Sequence, residues 1–154
     1  MDNLKCNTFT IGKISYPEFK DFIDLVSEDF TPPFLSYVDL ESYYEKVSNL
    51  AEFSICRCGD ELVGLVVFYQ NNHEIREGYI PFVAVKKEFR GLHIASNLML
   101  QAFSTAKKNG MINMTIRTNN IHALKCYLGL GFKVVKEIFE EENNLTRYYL
   151  NIEL

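Results

Sequence analysis

The sequence lacks an apolar run long enough to cross a membrane as a helix. Its longest apolar run, residues 62–69, has the length of a strand, whereas a membrane-spanning helix needs roughly 20 such residues. Residues 1–5 also lack the basic-then-apolar order of a secretory signal peptide. Both absences predict a soluble, cytoplasmic protein without a membrane partner.

Cysteine and histidine are too scattered for a metal site. Cys56 and Cys58 are separated by one residue, not by the two or more of a zinc or thioredoxin-type pair. No second close pair accompanies them, and the three histidines stand far apart in the sequence. We therefore expect no bound metal, and we expect reduced cysteines of the kind usual in the cytosol.

Positive charge is scarce as well. The sequence has 16 Lys and Arg against 20 Asp and Glu, which gives a formal net charge of −4 at pH 7. A protein with this balance does not present an extended basic surface, so we expect no nucleic-acid partner. The balance still allows a local basic site for a small anionic ligand.

The remaining composition is that of one globular domain. The chain has 154 residues, 47% of them hydrophobic and 23% charged, which is enough apolar content for a single core. Apolar residues repeat with the periods of strands and helices in the order β-α-α-β-β-β-α-β-α-β-β. This order predicts one α/β domain over residues 1–154, with helices on both faces of the sheet.

Strands are predicted at residues 9–14, 53–57, 62–69, 78–85, 112–117, 132–139 and 148–152, and helices at residues 17–27, 39–49, 92–109 and 121–128. Pro81 lies inside one of these strands. Proline cannot donate to a sheet ladder, so it belongs at an edge, at a bulge or where pairing stops. Asn120 is predicted to cap the last helix.

A basic loop joins the proline-containing strand to the longest predicted helix. Lys86, Lys87 and Arg90 lie in this loop, together with Gly91. The N–H groups at a helix start have no partner within the helix and carry the positive end of its dipole, so the junction can hold a phosphate. The alternative is a solvated loop in front of a helix that packs in the core.

Two motifs around this junction resemble those of the GCN5-related N-acetyltransferase (GNAT) family. The family's coenzyme A signature is Arg or Gln, two residues, Gly, one residue, then Gly or Ala. Residues 90–95 match its first and last positions, with His93 where a glycine is usual. The family's second motif is matched at Asn120, Ala123, Tyr127, Gly131 and Phe132. The resemblance covers nearly the whole chain and implies a GNAT-type domain with a mixed, mostly antiparallel sheet of about seven strands, splayed between the fourth and fifth strands.

The resemblance implies acetyl-CoA as co-substrate. The pantetheine arm would pair with the strand backbone at Val83 and Val85, in an opening that Pro81 helps to create. The diphosphate would lie on the N–H groups of residues 91–96. The implied cofactor-binding residues are Val83, Val85, Arg90, Gly91, Leu92, His93, Ile94, Ala95, Ser96 and Asn120.

Two of these residues leave alternatives open. The His93 side chain either points away from the ligand or donates to a phosphate, and we expect the first. Asn120 contacts the ligand, caps its helix, or does both.

The resemblance also implies catalytic residues. Tyr127 stands where the family's general acid lies, near the thiol sulfur, and the alternative is a core ring. The family's carboxylate base corresponds to Tyr79 here, so Glu77, two residues earlier on the same face, is the available replacement. The alternative for Glu77 is a solvated charge at a strand end. The backbone N–H of Val83 would polarise the thioester carbonyl.

The aromatic residues between the first two helices suggest the acceptor. Phe30, Phe34 and Tyr37 flank two prolines in a loop, where they stack on an amino sugar or nucleotide sugar, or else pack as an ordinary lid. We predict an acetyl-CoA-dependent N-acetyltransferase that acts on a small-molecule amine by direct attack in a ternary complex. The alternative is a non-catalytic acyl-CoA-binding module of the same fold. The terminal strand, residues 148–152, is a candidate for pairing two copies into a homodimer.

Overall fold

A computed structural model describes residues 7–154 of the protein, which form one seven-stranded sheet with flanking helices. The strands are β1 (Asn7–Gly12), β2 (Glu52–Cys58), β3 (Glu61–Tyr69), β4 (Glu77–Val85), β5 (Asn113–Thr118), β6 (Lys133–Glu140) and β7 (Leu145–Glu153). The helices are α1 (Tyr16–Val26), α2 (Leu40–Leu50), α3 (Ile94–Lys108) and α4 (Ile121–Leu130). The predicted order of strands and helices is confirmed, with ends that differ by a few residues.

Residues 1–5, where we expect no signal peptide, lie outside the described part of the chain. Within residues 7–154, no helix combines the length and the apolar character that a bilayer span requires.

The sheet has the strand order β1-β2-β3-β4-β5-β7-β6. Neighbouring strands are antiparallel except β4 and β5, which are parallel. The predicted mixed, mostly antiparallel sheet is thereby confirmed. Because β7 lies between β5 and β6, both of its edges are already paired within the chain. The prediction that residues 148–152 pair two copies is therefore wrong, since the strand at this edge of the sheet is β6.

Helices cover the sheet from both faces. On one face, α1 buries the predicted stripe of Phe19, Phe22, Ile23 and Val26 in a cluster whose strand residues come from β2, β3 and β4. On the other face, α3 buries Ile94, Leu98, Met99, Ala102, Phe103 and Ala106. A fully buried Phe or Leu side chain contributes about 1.5–3 kcal/mol, so these two helices hold the middle of the sheet rigidly between them.

The pairing of β4 with β5 ends at Pro81. The parallel register joins Glu77–Ile80 to Asn113–Ile116, and β4 continues to Val85 without β5 beside it. Between the pairs Tyr69–Tyr79 and Val67–Phe82, β4 has one residue more than β3, which is the predicted bulge. The predicted splay between the fourth and fifth strands is confirmed.

Gly78 allows β4 and β5 to approach closely before they separate. A Cβ atom at this position would lie 2.6 Å from the Met114 sulfur and 3.0 Å from the Tyr69 carbonyl oxygen. Both distances are shorter than ordinary contacts, so a side chain here would displace the flexible end of Met114 and press on the backbone of β3. Gly78 thus allows close packing where β4 and β5 are paired, and Pro81 follows the last pair.

Candidate active site

An open cleft of about 1410 Å³ lies where β4 and β5 diverge. Its walls come from the segment between α1 and α2, the start of α3, the start of α4, and the β6–β7 hairpin. We call this space the main cleft. Most of the sequence-predicted site residues line it, and the exceptions are described below.

The free edge of β4 forms one wall of the main cleft. The Lys86 N–H donates to the Val63 carbonyl on β3 at 2.8 Å. Since successive residues of a strand point their backbone groups to opposite sides, the N–H groups of Val83 and Val85 face the opening that β5 has left. The Val85 carbonyl already accepts a hydrogen bond there from Arg90 Nε at 3.1 Å. An extended ligand can pair with this edge as an added strand does.

The start of α3 points its unpaired N–H groups at the same cleft. Its N-cap residue, His93, gives the helix no side-chain hydrogen bond, and Ala95 and Ser96 in its first turn line the cleft. α3 begins at Ile94, later than predicted, because His93 has a left-handed backbone with φ of 61°. That conformation costs a side-chain-bearing residue about 1–2 kcal/mol and glycine almost nothing. This explains why a glycine is usual at the position.

The predicted cluster of three basic residues is wrong. Of the three, all within the described chain, only Arg90 lines the main cleft. Lys86 continues β4 beside β3, so its Nζ pairs with Glu61 at 3.2 Å. The Arg90 guanidinium, in turn, forms an ion pair with Asp29 from the segment that follows α1. Lys86 and Arg90 are thus paired with acids, and Arg90 is the one of the three that lies in the cleft wall near the start of α3.

Leu92, which the first motif placed among the ligand contacts, packs against the core cluster under α3. Gly91 and His93 on either side of it do line the main cleft. Gly91 has φ of 80°, a conformation that favours glycine. The loop thus alternates between a residue turned to the core and residues turned to the cleft.

Helix α4 brings the second motif to the opposite wall. Asn120 caps it as predicted, because its side-chain oxygen accepts from the N–H groups of His122 and Ala123 at 2.9 and 3.0 Å. Tyr127 lies further along α4 and is only 6% exposed. Its ring packs on the Phe132 ring, and the two ring centroids are 5.9 Å apart. It lines the cleft although its ring belongs to the core, so the two interpretations of Tyr127 are compatible.

Burial sets the protonation state of Tyr127. It raises the pKa of the phenol well above its ordinary value, with a smaller contribution from Cys126. Within residues 7–154, no side chain or carbonyl accepts a hydrogen bond from this hydroxyl. Tyr127 therefore presents a protonated hydroxyl group without an acceptor, the protonation state that a general acid needs, while its raised pKa makes it a weaker acid than an ordinary phenol.

Glu77 does not reach the main cleft. It lies at the far end of β4, opposite Asn113, where β4 and β5 are still paired. The lining carboxylates of the described chain are Asp29, which pairs with Arg90, and Glu140. Arg147 Nε donates to Glu140 at 2.7 Å and, as the largest of several causes, lowers the pKa of this carboxyl. A carboxylate with a lowered pKa is a weak base, so the geometry offers no strong carboxylate base for an amine.

The aromatic wall is divided between core and cleft. Phe34 is 5% exposed and packs on Phe82 and Tyr43, with centroids 5.3 Å away in both cases. Phe30 stacks on Phe82 at 5.3 Å. Tyr37, in contrast, is 60% exposed and lines the cleft. All three rings line the main cleft. The packing of Phe30 and Phe34 on other rings favours the lid alternative for these two, and Tyr37 is the most exposed of the three.

A polar network that the motifs did not reveal links two walls of the main cleft. Asn119 Nδ2 donates to the Thr31 carbonyl at 2.8 Å and to Glu140 Oε1 at 3.3 Å. It thereby ties the segment after α1 to the β6–β7 hairpin. Arg117 and Tyr149 line the same region. The alternating polar residues of the fifth predicted strand were a signal for Arg117, although alternation alone does not tell which cavity a polar face lines.

Comparisons with known proteins agree with this geometry. Residues 19–132 match the family model described as the acetyltransferase (GNAT) family. The chain is 31% identical over 147 residues to N-alpha-acetyltransferase 30 of Schizosaccharomyces pombe, and the match covers 92% of this chain and 91% of that protein.

Two solved structures illustrate the range of proteins with this fold. Aminoglycoside 6'-N-acetyltransferase complexed with coenzyme A has a TM-score of 0.75 at 16% identity, over 94% of this chain and 96% of that one. The NatC complex bound to Gag peptide and CoA contains a chain with a TM-score of 0.75 at 21% identity, over 95% and 98%. At such identities the likeness concerns the fold.

Proposed function

The chain belongs to the acetyltransferase (GNAT) family and is an N-acetyltransferase with acetyl-CoA as co-substrate. We infer from this how the residues of its main cleft act. The observation that carries the inference is the meeting of two unpaired backbone surfaces, the free edge of β4 and the uncapped start of α3. An extended amide chain suits the first surface and a diphosphate suits the second.

We place the pantetheine arm along Val83 and Val85 and the diphosphate on the N–H groups at the start of α3. The cleft-lining residues proposed to contact acetyl-CoA are Val83, Val85, Arg90, Gly91, His93, Ile94, Ala95, Ser96 and Asn120. Leu92 is left out as a side-chain contact because it packs in the core. The contact of His93 is proposed to be through its backbone, with the imidazole pointing away from the diphosphate.

Bound acetyl-CoA supplies an acetyl group activated as a thioester. The Val83 N–H, on the free edge, is placed to donate to the carbonyl oxygen as negative charge develops there. As the amine nitrogen bonds to the carbonyl carbon and the carbon–sulfur bond breaks, Tyr127 donates its proton to the departing sulfur. The proton of the amine passes to water in the open cleft, since Asp29 and Glu140 are both paired with arginines. Water in the cleft then returns a proton to the Tyr127 phenolate, which restores the starting state.

The placement of Glu77 yields a prediction about pH. Glu77→Gln should leave the pH profile of kcat/KM unchanged, because Glu77 lies outside the cleft and only the neutral fraction of the acceptor amine is reactive. The rate should instead rise with pH towards the pKa of the acceptor, about 7.7–8.0 for an α-amine. Steady-state kinetics of both proteins over a range of pH would show this. Loss of the acidic limb in the variant would mean that Glu77 is the base after all.

We propose the α-amine of a polypeptide as the acceptor. The support is the relation to N-alpha-acetyltransferase 30, which extends over nearly the whole of both chains, and the open cleft between the α1–α2 segment and the β6–β7 hairpin. A second candidate is the small-molecule amine predicted from the sequence, such as an amino sugar or nucleotide sugar. The observation that favours it is the exposed Tyr37 ring, which can stack on a flat acceptor.

A panel of acceptors separates the two candidates. Peptides that differ in their first two residues, N-terminally blocked peptides with an internal lysine, and amino sugars with and without a nucleotide are tested for thiol release from acetyl-CoA. We expect the highest kcat/KM for peptides with a free α-amine and none for blocked peptides. Turnover of amino sugars with inert peptides would overturn the peptide proposal and support the small-molecule one.

A further inference from the structure

Part of one sheet face stays uncovered beside the main cleft. The helices α1 and α2 pack on β2, β3 and β4, so the same face of β5, β7 and β6 is open. The cross-strand pairs place Thr115 next to Tyr79 and Arg117 next to Tyr149, with Lys136 on the other side of Tyr149. These side chains therefore form a row across four neighbouring strands.

The row alternates aromatic rings with cations. The Arg117 guanidinium lies 5.3 Å from the Tyr79 ring centroid, and its Nε donates to the Tyr79 hydroxyl at 2.8 Å. Lys136 Nζ lies 5.5 Å from the centroid of Tyr149. On the other side, Tyr69 stacks on Tyr79 at 6.4 Å. These contacts orient Arg117 and, more weakly, the exposed Lys136, and they neutralise neither cation.

The two cations of the row form no ion pair with a carboxylate of the described residues. The ion pairs formed within residues 7–154 include neither Arg117 nor Lys136. Partial burial lowers the pKa of Arg117, but its interactions with the phenol oxygens of Tyr79 and Tyr149 outweigh this and raise it, so it stays charged. Two unpaired cations on one face of a protein with net charge −4 are a local attraction for an anion.

A second cavity lies over the same row. Its volume is about 340 Å³, and it is lined by Tyr79, Thr115, Arg117, Val135, Lys136 and Tyr149, among others. Its exposed wall is mostly apolar, so an anion there would rely on the Arg117 and Lys136 head groups alone. Tyr79, Arg117 and Tyr149 also line the main cleft. A molecule whose amine enters the main cleft from this side can therefore place another of its groups in the second cavity.

We propose that the second cavity is an acceptor subsite that binds an anionic group through Arg117 and Lys136, with the rings of Tyr79 and Tyr149 as its walls. The inference rests on the proposed function in one respect, namely that an amine enters the main cleft. A carboxylate side chain next to the terminal residue of a peptide and the phosphate of an amino sugar both supply this chemistry.

Matched acceptors test the subsite. One pair is a peptide with Asp or Asn at its second position, and the other is glucosamine 1-phosphate or glucosamine. In the class that is turned over, we expect the anionic member to have a kcat/KM about tenfold higher, as a charge-assisted hydrogen bond provides. Preference in the peptide pair identifies a carboxylate as the anion, and preference in the sugar pair identifies a phosphate. Equal values in both pairs would overturn the subsite and leave the acetyltransferase function intact.

Substitutions of the two cations test whether the preference for anionic acceptors arises from the row. Lys136→Gln and Arg117→Gln should bring the ratio within each pair close to one, while Lys136→Arg should retain it because the charge is kept. Lys108→Gln is the control, since it removes one exposed positive charge at the end of α3, away from both cavities. An unchanged ratio in both Gln variants would show that the preference arises elsewhere and would overturn the assignment.

A binding measurement decides the matter if no acceptor in either class is turned over. The protein saturated with coenzyme A is titrated with inorganic phosphate and followed by NMR. Saturable shifts of the Arg117 and Lys136 signals that weaken in Arg117→Gln would support the subsite even though the proposed function had failed. The absence of saturable shifts would overturn it.

Discussion

Tyr127→Phe is expected to lower kcat by about 10²-fold or more while leaving the affinity for acetyl-CoA nearly unchanged. The substitution removes only the hydroxyl, which is the proposed proton donor to the leaving sulfur, and general acid catalysis contributes about 10²–10⁴-fold. The ring, which packs on Phe132 in the core, is retained. Steady-state kinetics, coenzyme A titration calorimetry and thermal unfolding of the variant would separate the loss of chemistry from a loss of binding or stability.

The effect of pH follows from the burial of Tyr127. Because burial raises the pKa of this hydroxyl above its ordinary value of about 10, the phenol stays protonated throughout the range in which the enzyme is assayed. We therefore expect no alkaline loss of kcat below about pH 10 that depends on Tyr127.

Tyr148→Phe is the matched control for this prediction. Tyr148 packs against the same core cluster, but its neighbour Tyr149 is the one that lines the main cleft. The control should keep kcat within about twofold of the wild type, as surface and peripheral substitutions usually do. If Tyr127→Phe retained most of its kcat, the sulfur would be protonated by another group, and Tyr127 would have only its structural role.

Ser96→Asp is expected to raise the Kd for acetyl-CoA by about 10²-fold or more without destabilising the protein. Ser96 lies in the first turn of α3 and lines the main cleft. A carboxylate there interacts favourably with the helix dipole and stabilises the folded protein by about 0.3–1 kcal/mol. It repels a diphosphate bound at the same N–H groups, since like charges 4 Å apart near a protein surface interact by about 4 kcal/mol. Titration calorimetry should therefore show weaker binding of acetyl-CoA, while thermal unfolding should show an unchanged or slightly higher melting temperature.

Asn97→Asp provides the comparison for this variant. It adds the same charge one residue later, at an exposed position outside the cleft lining. We expect its Kd to change by only a few fold, because an exposed charge is screened by water and salt. Equal weakening in both variants would mean that total charge, not the start of α3, determines binding. No weakening in Ser96→Asp would place the diphosphate elsewhere.

Local physics explains why much of the fold was predictable. The spacing of Ile94, Leu98 and Ala102 specifies a helix with one buried face, and these residues are indeed buried. Asn120 can cap a helix through its own neighbours, so its role requires no knowledge of the tertiary structure. Pro81 cannot donate to a ladder, and pairing with β5 stops there.

The predictions that proved wrong depend on contacts between residues distant in sequence. The ion pairs Lys86–Glu61 and Arg90–Asp29 join residues on different elements, so the basic loop looked more positive than it is. The strand at residues 148–152 was a candidate for pairing two copies, but the chain inserts β7 between β5 and β6. Strand order depends on how elements pack together, and the alternation of residues within one strand carries no information about it.

We infer that the main cleft binds acetyl-CoA and that its residues pass the acetyl group to an amine. The most direct test incubates the protein with acetyl-CoA and each member of the acceptor panel, and measures the released thiol and the acetylated product by mass spectrometry. We predict one thiol for each acetylated amine, with a rate that falls steeply in Tyr127→Phe. Saturable binding of acetyl-CoA with no thiol release above background for any amine would contradict the claim and would favour a non-catalytic acyl-CoA-binding protein.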